Sequence, residues 1–283
     1  EVVPGGRNEF MSWTPSSVFQ DTSAGGTRTN LQIKAVSSKP RYRFAEPITF
    51  DVALKNHGPK PVALGKLSPA FGNVRYILKR PDGRISEYQP PLHKCELGSQ
   101  EISGSGEIKH TTSLTVGADG FLFDTPGQYQ LTAVIPDPSS GVAVVSQPTI
   151  FWVNYPDAED EKIASEVFNR DCSLYLYMSG GHHLTSARNT FETVADQYSD
   201  HPFATHANLV LGLDDLAGQK RIAKKTPTRR SNPEKAVSRF SKVLERDTLP
   251  APLRARLEST VELCKDEPNG RKKRSSSRRR KKS

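Results

Sequence analysis

The stretch 118–134, ADGFLFDTPGQYQLTAV, decides how the first half of the chain is read. Phe121 and Phe123 alternate with other residues before the Pro126-Gly127 pair, and Tyr129, Leu131 and Ala133 alternate after it. A period of two puts one set of side chains on a buried face and leaves Gln128, Gln130 and Thr132 to the solvent face. Proline followed by glycine supplies the bend between the halves. The stretch therefore predicts a hairpin or a corner of a β-sandwich, with Phe121, Phe123, Tyr129 and Leu131 in its core.

The same signature recurs on both sides. Leu31, Ile33 and Ala35 alternate, as do Ile48, Phe50, Val52 and Leu54. Segment 73–80, NVRYILKR, alternates through Val74, Tyr76 and Leu78 into the turn Pro81-Asp82-Gly83, with 84–88 as its hairpin partner. Further on, GVAVVSQPTIFWVN puts Val142, Val144, Ile150, Trp152 and Asn154 in register, but Pro148 lacks the N–H of a central strand and so marks a bulge, an edge or a switch between sheets. Roughly seven to nine short strands, with a turn about every 8–12 residues, predict an antiparallel sandwich over 31–155. The segments EPITFDVALKN and FDTPGQYQLTAV resemble the immunoglobulin-like domains of bacterial extracytoplasmic proteins. That resemblance implies a fold and is silent on activity, because the sandwich carries many unrelated functions.

At Pro156 the period changes. Asp157 is an N-cap candidate, Glu159, Asp160 and Glu161 suit the positive end of a helix, and Ile163, Ala164, Val167 and Phe168 recur at helical spacing. Gly180-Gly181 predicts a left-handed helix stop. Ala187, Phe191, Val194 and Tyr198 then form one helical face, Asp200-His201-Pro202 turns the chain, and Ala204, Ala207, Leu211 and Leu216 form a second face. The order of Ala187, Phe191, Tyr198, Pro202, Ala204, Ala207, Leu211 and Gly212 resembles a tetratricopeptide-type helical repeat of bacterial envelope proteins. Beyond a basic insertion at 219–232, Ala236, Phe240, Val243 and Leu244 repeat the pattern, and 252–264 supplies a further helix.

The expected fold class is thus multidomain: an antiparallel all-β immunoglobulin-like sandwich (31–155) plus a small all-α, tetratricopeptide-like domain (156–268). A linker or remnant of a preceding domain (1–30) comes before them, whose Phe10, Trp13 and Phe19 are expected to pack on the sandwich or to finish that preceding domain, the alternative being an exposed aromatic binding patch. A disordered basic tail (269–283) follows.

Charge placement narrows the partners. The net charge is +9, and nine Lys/Arg lie in one run: Arg271, Lys272, Lys273, Arg274, Arg278, Arg279, Arg280, Lys281 and Lys282. The remaining 31 bases match the 31 acids, so the body is neutral and any contact with nucleic acid or an anionic surface is confined to the tail. Such binding would collapse with salt; the bland alternative is a solvated terminus.

Motifs for chemistry are sparse. Cys95, Cys172 and Cys264 lack CxxC spacing, which favours buried thiols over a disulfide framework or a zinc site and leaves one disulfide open. His182 and His183 are adjacent, and His201 and His206 straddle Pro202, so all read as surface or helix-cap residues. There is no GxSxG, and Gly104-Ser105-Gly106 leads to an acid rather than to a phosphate-binding Lys-Ser/Thr. No catalytic, cofactor-binding or metal-ligating residue is assigned. No apolar run reaches the ~18–20 residues of a membrane helix, and the first residues lack a signal-peptide pattern. The expectation is a non-catalytic module that binds or scaffolds a protein partner in an envelope-associated or secreted, extracytoplasmic protein. The alternatives are an accessory carboxy-terminal region of a larger hydrolase and a nucleic-acid or anionic-surface binder acting through its tail.

Overall fold

The computed structural model describes residues 29–93, 99–181, 183–217, 219–220, 227–229, 231–246, 249 and 251–266. The expectations for residues 1–28, Cys95, His182, half of the basic insertion and the tail lie outside the described residues. The chain divides into two compact units, Glu1–Ala164 and Ser165–Ser283.

In the first unit the strands are β1 (Leu31–Ser37), β2 (Arg41–Tyr42), β3 (Thr49–Asn56), β4 (Val62–Gly65), β5 (Arg75–Lys79), β6 (Ile85–Glu87), β7 (Ser99–Ile102), β8 (Glu107–Ser113), β9 (Val116–Gly117), β10 (Gly120–Phe121), β11 (Gly127–Pro136), β12 (Ala143–Val145) and β13 (Thr149–Val153). Besides the two-stranded pairs β4-β7 and β9-β10, there are two larger sheets, of orders β1-β3-β8 and β2-β13-β11-β5-β6, with β12 also on β11. Every pairing in them is antiparallel except β2 with β13. Their inner faces meet through aromatic rings: Phe151 lies 5.4 Å from Phe50 edge-on and 5.6 Å from Tyr129 in a stack. The 73–88 hairpin forms as expected, with Gly83 at φ 83 and the Asp82 carboxylate accepting from the Arg84 N–H.

The 118–134 stretch is a corner. β10 pairs with β9, not with β11, and the chain swings through Pro126 into β11. Gly127 has φ 132, and a Cβ there would meet the Pro81 ring at 2.7 Å, so the bend needs glycine. The Tyr129 hydroxyl donates to the Thr125 carbonyl at 2.7 Å and ties the bend to its strand. Phe123, Tyr129 and Leu131 are buried, whereas Phe121, on a two-residue strand off the main sheets, is only half-buried.

β11 runs between β13 and β5, and its second face is exposed only near its start, at Gln128. Thr132 and Val134 are buried there, the latter with Ile77 and Ala143 beneath Ile85 and Val145. In β13 the phase is inverted: Phe151 and Val153 point into the core while Ile150 is 55% exposed, because Pro148 separates β12 from β13 and resets the register. Among the described residues this unit has thirteen strands rather than seven to nine, the excess being pieces of two or three residues.

The helices are α1 (Ala158–Val167), α2 (Arg170–Met178), α3 (Thr185–Gln197), α4 (Pro202–Ala217), α5 (Pro233–Leu244) and α6 (Ala251–Asp266), with the short pair β14 (Gln219–Lys220) and β15 (Pro227–Arg229) between α4 and α5. α1 opens on a reciprocal cap. Asp157 accepts from the N–H groups of Glu159 and Asp160, and Asp160 accepts from the N–H of Asp157. The left-handed residue ending α2 is Ser179 (φ 56), not a glycine; Gly180 follows at φ 123.

Successive helices from α2 to α6 pack on one another. Phe191 contacts Tyr175 and Phe203 edge-on, at 5.1 and 5.3 Å. Ala236, Phe240, Val243, Leu257 and Val261 form a second cluster. Gly212 allows α4 and α5 to close: a Cβ on it would lie 2.5 Å from a Phe240 ring carbon. The predicted faces are buried, except that Phe168, Tyr198, Leu216 and Leu244 at their ends are half-buried.

Candidate functional site

The densest polar cluster lies in the helical unit. Arg188, Glu192 and Asp196 stand four apart on α3 and so share one face. Asp214 and Asp215, near the end of α4, are 1% and 3% exposed. Arg188 donates to Asp214 at 2.7 Å, to Asp215 at 2.8 Å and to Glu192 at 3.1 Å. The Tyr175 hydroxyl on α2 donates to the same Asp214 oxygen at 2.7 Å. Two carboxylates at the negative end of a helix are opposed by its dipole, and burying them costs several kcal/mol each unless a cation compensates. The fork of Arg188 supplies that cation. Gly180 makes room for the cluster, since a Cβ there would sit 2.4 Å from an Asp214 oxygen.

The face of α3 continues as a ladder of ion pairs to α5. Lys235 reaches Glu192 at 2.9 Å, Arg239 reaches Asp196 at 3.4 Å and Lys242 reaches Asp196 at 3.6 Å. Arg239 also donates to the Asn208 side chain of α4 at 2.9 Å. Burial pushes the Tyr175 phenol above its ordinary range, and the neighbouring Asp214 carboxylate adds to the shift. Burial disfavours the Arg188 charge, yet Tyr175, Asp215, Asp214 and Glu192 outweigh it and raise the guanidinium pKa. For Glu192, burial is outweighed by Lys235, Arg188 and Arg239, which hold the carboxyl below its usual value. These groups direct their hydrogen bonds at one another. The arrangement is suited to holding four helices in register.

The residues singled out from sequence fall elsewhere. Arg271 to Arg274 and Arg278 to Lys282 lie outside the described residues. Cys172 is buried at the start of α2; burial raises its thiol pKa, and Asn169 both caps the helix and donates to its sulfur at 3.3 Å. His201 is fully buried and caps α4, its Nδ1 accepting from the Phe203 N–H at 3.0 Å. His206 is half-buried within α4 and His183 is exposed. The acids at the start of α1 surround Arg43, which pairs with Asp157, Glu159 and Asp160 at 2.9, 2.6 and 2.7 Å. Among the described residues no group of His, Cys, Asp or Glu is placed to hold a metal ion, and no helix is long and apolar enough to cross a membrane.

On the outer face of the larger sheet, Arg41 covers the Trp152 ring at 5.6 Å, with Gln128 across from Trp152. Ile150 stands across from Gln130, which in turn faces Lys79. No sequence motif singles out Tyr175, Arg188, Asp214 and Asp215. Their signal was present as two adjacent carboxylates inside the otherwise apolar run LVLGLDDLAG.

No family model matches the chain, and no curated protein matches it in sequence. Among solved structures, the sporulation control protein Spo0M from Bacillus subtilis is similar at 12% identity and TM-score 0.32, over 50% of this chain and 55% of that one. The CARDB domain of a Pyrococcus furiosus protein is similar at 13% identity and TM-score 0.28, over 47% of this chain and 98% of the domain. The Pseudomonas fluorescens alkylpurine DNA glycosylase AlkC, bound to DNA containing an abasic site analog, is similar at 11% identity and TM-score 0.29, over 46% of this chain and 32% of that one. Likenesses at this level carry no argument about activity.

Proposed function

We propose that this chain is a non-catalytic binding or scaffolding module that holds a protein partner, within an envelope-associated or secreted protein. It pairs an immunoglobulin-type sandwich with a short array of tetratricopeptide-type helical hairpins. The observation that carries the reading is the use of charge in the helical unit. Arg188, Asp214 and Asp215 are withdrawn from solvent, and Lys235 and Arg239 face Glu192 and Asp196, so polar groups hold helices in register. Stacked hairpins fixed in this way make a rigid framework on which a partner surface can be laid.

Small residues at the helix contacts, Ala187, Ala204, Ala207 and Gly212, support the tetratricopeptide-type reading. For the sandwich, support comes from the strand order and from the way the first strand is shared: β1 runs antiparallel to β3, and β2 parallel to β13 in the opposite sheet. The tie from Tyr129 to Thr125 is the hydrogen bond of a tyrosine corner. Affinity capture with the intact chain and with residues 1–164 tests the proposal. A protein retained in stoichiometric amount by the first and lost by the second supports it. Equal retention by both, or no retained protein, overturns it.

A further inference from the structure

We draw no further inference here: the strongest candidate, the outer face of β13 and β11 where Ile150, Trp152 and Gln128 lie beside Arg41, is a part-exposed sheet surface, and nothing in the structure shows what covers it.

Discussion

Arg188 on α3 donates to Asp214 on α4 at 2.7 Å, and this pair closes the helical unit from within. Arg188→Ala would take this guanidinium away from the buried Asp214 and Asp215. The expected cost is about 3–5 kcal/mol, the range for breaking a buried pair from one side. Urea unfolding of the intact chain measures it. Arg188→Lys keeps the charge but not the fork and should fall between wild type and alanine. A loss under about 0.5 kcal/mol for alanine, the size of an ordinary surface substitution, would contradict the described network.

The depressed carboxyl of Glu192 makes stability depend on acid. A group whose folded pKa lies below its unfolded value stabilises the fold above the unfolded value, about 4.3 for Glu, and loses that contribution as pH falls through the folded value. Stability should therefore be level in this respect above pH ~5 and decline below ~4.3. Glu192→Gln should make that decline shallower. A pH series of denaturant midpoints for both proteins decides, and parallel curves would remove Glu192 from the account.

One chemical change should have opposite signs at two tyrosines. The Tyr76 hydroxyl is buried with no hydrogen-bond partner among the described residues, whereas the Tyr129 hydroxyl donates to Thr125. Tyr76→Phe should be neutral or stabilising, and Tyr129→Phe should cost about 1 kcal/mol. Thermal unfolding of the two variants side by side checks the contrast.

Two glycines at positive φ separate backbone strain from crowding. Gly72 (φ 72) has open space where a Cβ would go, while Gly180 (φ 123) has the Asp214 carboxylate there. Gly72→Ala should cost about 1 kcal/mol, the backbone term alone. Gly180→Ala should cost clearly more, because φ 123 lies outside the left-handed well that Gly72 occupies and Asp214 must also shift from Arg188. Equal midpoints in urea would sink this distinction.

The sheet and helix segments were legible in sequence because each is governed by a local rule: alternation in β1 and β3, proline with glycine before β11, Asp157 ahead of α1. What was not legible depends on neighbours distant along the chain. Thr132 alternates like a solvent-facing residue, yet it is fully buried; Ile150 alternates like a core residue, yet it is exposed beyond Pro148. The ionic cluster escaped for the same reason. Arg188 and Asp214 are 26 residues apart, and only the packing of α3 on α4 brings them together.

α4 has no exposed residue between Pro202 and Leu216, since α3 and α5 cover it from two sides. Its amide protons can thus reach solvent only when the surrounding helices come away. Hydrogen–deuterium exchange should find the slowest protons of the helical unit in α4, leaving at a rate set by global opening, while those near the ends of α3 and α6 exchange sooner through fraying. A helix enclosed in this way makes the unit an all-or-none object: lost as a whole or kept as a whole.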